Sequence, residues 1–388
     1  MTTTTAPTER SERITNLDTV RGLAVLGILL MNIVSFGLPS AAYFNLRAGG
    51  SNTALDYGVG IAGEVFIDQK MMGLFSALFG AGIVLFANRA EAKGRRPNLF
   101  SLWRNLLLGL IGLAHLTIWE GDVLLLYAAC APLLVVTRRF GARWLLGLGT
   151  VCVLGSAVIA ILVQSSVPAD GEGLGDLWLP QGGDIADGPG VAFLSGYFLR
   201  ALGMMWIGVA LYKMQIMQGH RPTSFYQRMA AIGLAIGLPL AILGVIVTAA
   251  NDYSPDVAFI GQAPNTLATI PLSFAYLAII TLWDKRPTTE VHRRVRACGR
   301  MALTNYLTQT IIGITMLRVV FNQGDLGRTA LLGMAIAVWV LQLAWSKPWL
   351  EHFNYGPFEW VWRSLTYRKR QTFARPAIAR SAKEDAGV

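Results

Sequence analysis

Stretches of roughly twenty apolar residues, each long enough to cross a ~30 Å hydrocarbon core as a helix, recur along nearly all of this 388-residue chain. That recurrence leaves few folds open. A bilayer core offers no water to backbone amides, so repeated crossings require helices or a closed barrel, and the alternation that barrel strands need is absent here. The chain therefore reads as an all-α polytopic integral membrane protein. Ten transmembrane spans can be placed, at 17–38, 61–87, 101–119, 122–137, 143–164, 191–212, 228–250, 264–283, 300–321 and 329–346. The second is polar in its first half, with Glu64, Asp68 and Lys70, and is expected to enter along an interface or cavity before 71–86 crosses.

A net charge of +10 would suit a nucleic-acid binder, but the basic residues sit in short loops between apolar runs, where they report topology. Loops after the second, fourth, sixth and eighth spans carry Arg89, Lys93, Arg95 and Arg96; Arg138, Arg139 and Arg143; Lys213, Arg221 and Arg228; and Lys285, Arg286, Arg293, Arg294 and Arg296. Residues 165–190 instead hold Asp170, Glu172, Asp176, Asp184 and Asp187 with no Lys or Arg, and 251–263 adds Asp252 and Asp256. Basic loops are expected inside and acidic loops outside, with both termini cytoplasmic. Residues 1–16 form a polar cytoplasmic segment lacking the order of a cleavable signal, 17–366 a single membrane domain, and 367–388 a basic, disordered cytoplasmic tail. Cys130, Cys152 and Cys298 sit in apolar settings and read as small packing residues.

A titratable group within such runs costs roughly 2.5–3.5 kcal/mol, so it faces a partner, a substrate or an ion path. The densest polar cluster is His115, Trp119, Glu120 and Asp122, followed by Tyr127, at the junction of the third and fourth spans. His115 can exchange protons near neutral pH, and Glu120 or Asp122 can fix its tautomer, which makes a general-base pair. The plainer role is an interhelical hydrogen bond, with Asp122 capping the next helix. On the first span Asp18 and Arg21 share a face with Asn32, eleven residues beyond Arg21. Arg21 suits an anionic substrate group or an interfacial anchor pair. Arg200 lies in the middle of the sixth span and needs Asp68, Glu64, Asp122 or an anionic substrate. Asn305 and Gln309, four apart, share a face that lines a polar cavity or joins helices. No His/Cys cluster has metal-ligand spacing and no glycine loop has a phosphate-binding context, so neither a metal nor a bound cofactor is expected.

Several strings point further: Leu17-Asp-x-x-Arg-Gly-x-Ala with Met31-Asn32, Leu74-Phe-Ser-x-Leu-Phe-Gly80, Gly112-x-x-His115 with Gly121-Asp122 and Tyr127, Gly299-Arg-x-Ala-Leu-Thr-Asn-Tyr306-x-x-Gln309, and Gly356-Pro-x-Glu-Trp-x-Trp-Arg363. Together, from Leu17 to Thr366, they resemble the YeiB-like bacterial inner-membrane proteins, domain of unknown function 418. That family is grouped with transmembrane acyltransferases similar to the heparan-glucosaminide N-acetyltransferase and acyltransferase-3 families. The resemblance implies a multi-pass protein of the bacterial plasma membrane that moves an acyl group from cytoplasmic acyl-CoA, as co-substrate, to a sugar or other hydroxyl or amine on an extracytoplasmic glycan or lipid-linked acceptor. In the glucosaminide enzymes a His in the first outer loop carries the transfer, and this chain has none between Pro39 and Glu64. His115 is then expected to take the role, as general base or transient acyl carrier, with Asp122 or Glu120 orienting it and Arg21 or Arg200 holding the anionic donor. Asn32, Tyr127 and Asn305 are available to the developing oxyanion. The rival reading is a transporter or permease for a small anionic solute, or a proton-coupled one, with the same buried His, Asp and Arg as its relay.

Overall fold

The computed structural model describes residues 14–180 and 183–375. Among these the secondary structure is helical, apart from one isolated bridge between Phe353 and Ala374. The helices are α1 (Thr15–Gly37), α2 (Ala54–Phe66), α3 (Lys70–Ala92), α4 (Pro97–Leu116), α5 (Leu124–Thr137), α6 (Ala142–Gln164), α7 (Asp187–Lys213), α8 (Thr223–Ala250), α9 (Gln262–Asp284), α10 (Glu290–Arg300), α11 (Ala302–Ile314), α12 (Arg328–His352) and α13 (Pro357–Tyr367). Eight segments are long and apolar enough to cross a membrane: α1, α2 with α3, α4, α6, α7, α8, α9 and α12. A count of ten adds α5, whose 14 residues reach ~21 Å, and α11 prolonged by a π-helical turn at Thr315–Val320. Side chains such as Trp144, Val151, Leu162, Ile232 and Val340 stand fully outward, a surface that suits lipid and would aggregate in water.

The helices share two ends. At the acidic end, Asn45 donates to the Trp178 carbonyl, Trp178 to that of Tyr253, and Arg328 to that of Ala42, so three loops and the start of α12 form one lid. At the basic end, Asn16 reaches the Met217 carbonyl, Lys285 that of Arg221, and Arg138 the Glu91 carboxylate. The second span, expected as one helix over 61–87 with a polar entry, is two helices, α2 and α3. A γ-turn, in which Lys70 N–H bonds the Asp68 carbonyl, puts Gln69 at φ 62° and separates α2 from α3. This turn has the rarer, strained hand, and such strain tends to gather at functional sites.

Backbones meet closely where side chains vanish. A Cβ on Gly208 would lie 1.9 Å from the Ala77 carbonyl oxygen, which lets α7 lie against α3. A Cβ on Gly299 would lie 2.0 Å from the Asp18 carbonyl oxygen and one on Gly22 2.2 Å from that of Val295, so the Arg-Gly and Gly-Arg strings dock α10 on α1. Glu359 of α13 closes the same corner. Its carboxylate accepts from Leu303 N (2.7 Å), Thr304 N (3.0 Å) and Thr304 Oγ1 (2.5 Å), satisfying open donors in the first turn of α11. Burial nevertheless pushes that carboxyl above the usual range, against the pull of these donors. Of the segment 367–388, residues to 375 are ordered against this corner, with Phe373 packed on Trp349, Phe353 and Trp360. Residues 376–388 and 1–13 lie outside the described residues.

Candidate functional site

His115 is the last-turn residue of α4, and Asp122 precedes α5 across a tight turn, so seven residues of chain bring both side chains to one point. His115 Nδ1 lies 2.7 Å from Asp122 Oδ1, and both side chains are almost wholly buried, at 3% and 0% exposure. The second carboxylate oxygen accepts the Leu125 N–H at 2.8 Å, so Asp122 caps α5 as well as holding the imidazole. An ionised Asp122 requires the proton on Nδ1, which leaves Nε2 as the lone-pair nitrogen. Nε2 is buried and meets no hydrogen-bond partner among the described residues. The imidazole stands between the rings of Trp119 (5.9 Å) and Tyr306 (5.3 Å). Glu120 is exposed at the turn, so of the two carboxylates it is Asp122 that meets the ring.

Arg200 lies elsewhere, half-way down α7. About 600 Å³ of open space runs beside it between α6, α7, α9 and the acidic-end lid, bordered by Phe44, Trp178, Phe193, Phe259 and Gln262 among others. A deeper space of about 290 Å³ continues from Arg200 past Met31, Asp68, Met72 and Gly73 to Ser76. Gln69 and Tyr197 border both. The strained turn thus aims Gln69 at their junction, where its amide meets Gln262 and Thr266. The Arg200 guanidinium lies 4.4 Å above the Tyr197 ring, and among the described residues no carboxylate comes within 4.0 Å of it. Asp122 is engaged with His115. Asp68 accepts from Tyr43 (3.1 Å) and Asn265 (3.0 Å), and Lys70 is spent on the Glu64 carbonyl and the Asn265 side chain. Burial first, then the Asp68 charge, pushes the Tyr43 phenol well up, so it remains a donor.

The two places are linked but separate. Tyr127 is fully buried, stacks beside Phe75 and Phe79, and bonds Ser76 Oγ at 2.8 Å, one step from the floor of the deeper cavity. Tyr306 and Tyr127 stand between that floor and His115. Sequence reasoning did not foresee a third cluster, at the basic end. Arg104 of α4 lies 4.1 Å above the Trp362 ring and 4.6 Å above Phe86, with Arg363 and Arg21 close enough to act on its charge. Arg21 pairs with Asp18 at 3.0 Å, and Arg104 has no carboxylate within 4.0 Å among the described residues. Three like charges brought together from three helices can be seen only in the fold. Asn32 is half-buried, next to the cavity-lining Met31. Asn305 bonds Cys298, Ser346 and Trp345, and Gln309 bonds Val25 and Gln342, so these amides join α1, α10, α11 and α12 and line neither cavity.

The docked glycine corner, the Glu359 cap and the His115–Asp122 turn use the same strings on which the family resemblance rests, and comparison with known proteins agrees. Over 96% of its length this chain is 32% identical to the whole of the uncharacterized protein YeiB of Escherichia coli (strain K12). The chain belongs to the YeiB-like DUF418 family. Residues 211–369 match the family model described as a protein of unknown function, DUF418. The uncharacterized protein YxaH of Bacillus subtilis (strain 168) is 29% identical over 95% of this chain and 98% of its own. An uncharacterized 39.9 kDa protein in the amylase 3' region of Bacillus acidopullulyticus is 26% identical over 94% and 96%. The chain is thus a multi-pass helical membrane protein whose matched relatives are bacterial.

Proposed function

We propose that this protein transfers an acyl group from cytoplasmic acyl-CoA to a hydroxyl or amine of an extracytoplasmic glycan or lipid-linked acceptor, in the bacterial plasma membrane with both termini inside. The observation that carries the reading is the His115–Asp122 pair, a buried imidazole oriented through Nδ1 with Nε2 left without a partner among the described residues. At Nε2 an acceptor hydroxyl would give up its proton as its oxygen attacks the thioester carbonyl. The tetrahedral adduct then breaks its C–S bond, and the imidazolium returns the proton to the departing CoA thiolate. Asp122 stabilises the imidazolium between these steps.

The basic-end arginines support the donor's place. Arg104 and His115 are eleven residues apart on α4, three turns, so they share a helix face ~17 Å apart along its axis. That is a reach of the kind a pantetheine arm covers, with CoA phosphates at Arg104, Arg21 and Arg363. The test is labelled acetyl-CoA added to membranes containing the protein. Label is expected in a membrane or glycan product with wild type and about a hundredfold less with His115→Ala; no labelled product with wild type contradicts the reading.

Arg200, beside a cavity and with no carboxylate within 4.0 Å among the described residues, favours a second reading, transport of a small anionic solute. Its test is solute flux into proteoliposomes without CoA, which acyl transfer does not require and transport does.

A further inference from the structure

We infer that the joined cavities at Arg200 bind an amphipathic organic monoanion, a carboxylate or a singly charged phosphate ester carrying an aryl or short alkyl body. This deepens the reading of Arg200 as a substrate contact and names the chemistry of what it holds. The head is fixed by Arg200. Its guanidinium presents planar donors suited to two oxygens of one group, and no carboxylate among the described residues occupies them. A cation left in this state half-way down α7 is unfavourable unless an anion joins it. The charge of that anion is limited by Asp68, which borders the deeper cavity and is held there by Tyr43 and Asn265. A dianion would meet Asp68 as well as Arg200, so a single negative charge fits best.

The body is fixed by what lies above. From Arg200 toward the acidic end the wall is Phe193, Phe259, Trp178, Leu174 and Phe44, apolar and largely aromatic. Such walls recognise an aryl or alkyl group by burial against their rings. Gln69 marks the boundary between the halves. Its positive φ places the amide between Gln262 and Thr266, a polar collar at the level where head and body would join.

The full-length protein in nanodiscs tests this with 4-phenylbutyrate, the neutral 4-phenylbutan-1-ol and inorganic phosphate, read by tryptophan fluorescence because Trp178 lies in the wall. The assay contains no CoA, so failure here leaves acyl transfer standing, and failure of acyl transfer leaves this binding standing. Phenylbutyrate is expected to bind saturably, about tenfold or more tighter than the alcohol or phosphate. Arg200→Gln is expected to weaken it by about tenfold or more, and Ala160→Trp, which fills the wall without touching Arg200, to weaken it by a similar factor. Should Arg200→Gln fail to fold, Ala160→Trp decides. Equal affinity for acid and alcohol, phosphate binding as tightly as the acid, or wild-type affinity in either folded variant would each overturn the proposal.

Discussion

His115 and Arg200 are both ionisable side chains set in apolar helices, and they have met opposite fates. His115 is closed in, with a carboxylate at one nitrogen and the Trp119 and Tyr306 rings against it, and neither cavity at Arg200 reaches it. Arg200 borders both cavities and has no carboxylate within 4.0 Å among the described residues. Partnering at depth fixes a tautomer and an orientation, which is what a proton-transfer group needs. A missing partner leaves a charge to be met by something that comes and goes, which is what a binding site needs. Between them lie Tyr127, Ser76 and Tyr306, so traffic between the two sites requires these side chains to move.

The largest effect should come from Asp122→Ala, which strips His115 of its acceptor and Leu125 of its cap at once. A loss of about 2–5 kcal/mol is expected in denaturant unfolding, together with about a hundredfold fall in acyl transfer. Asp122→Asn should lose the rate with a smaller loss of stability, and a variant that keeps full activity would break the contrast. Glu359→Ala serves as a paired group without chemistry. It should cost about 1–3 kcal/mol by uncovering the first turn of α11, while the activity per folded molecule stays unchanged. Tyr127→Phe removes the Ser76 hydrogen bond and should cost about 1 kcal/mol.

Arg200→Gln should change stability by less than about 1 kcal/mol, because no ion pair is broken, although anion binding is lost. A loss of several kcal/mol would show that Arg200 is held like His115 and would erase the comparison. Smallest is the effect of an exposed ion pair. Lys347, then Arg293, hold the Glu290 carboxyl at about 2, below its ordinary 4.5. A depressed carboxylate contributes stability that is present above about 4.5 and lost as pH falls toward 2. The melting temperature of wild type should therefore drop slightly more over that interval than that of Glu290→Gln, and the two should keep a constant offset near neutral pH.

Much of the helical plan was legible because apolar length and loop charge act locally: α1 and α4 to α9 fall within a few residues of their expected spans, and α12 starts where expected but runs on to His352. The polar start of the second span signalled an interfacial or cavity-lining entry, but the break into two helices at the Gln69 γ-turn could not be read from residue types. Two short helices were missed. Glu290–Arg300 is rich in arginine and read as a loop, yet it packs backbone to backbone on α1 through Gly22 and Gly299. Pro357–Tyr367 entered only as a family string, and its Glu359 proved to be a cap for a helix fifty residues earlier. At the site, the closeness of His115 and Asp122 was readable because one turn joins them. The separation of His115 from Arg200, and the gathering of Arg21, Arg104 and Arg363, depend on which helices are neighbours, which span order alone does not determine.

The central claim is that the sealed, oriented imidazole does the chemistry. Release of free CoA thiol from acetyl-CoA, followed in proteoliposomes holding the wild type, His115→Ala or Arg200→Gln, tests it with water as the default acceptor. The account predicts release above that of empty vesicles for wild type, a fall of about a hundredfold for His115→Ala and a far smaller change for Arg200→Gln. Release by His115→Ala at the wild-type rate, or none by wild type, would contradict it.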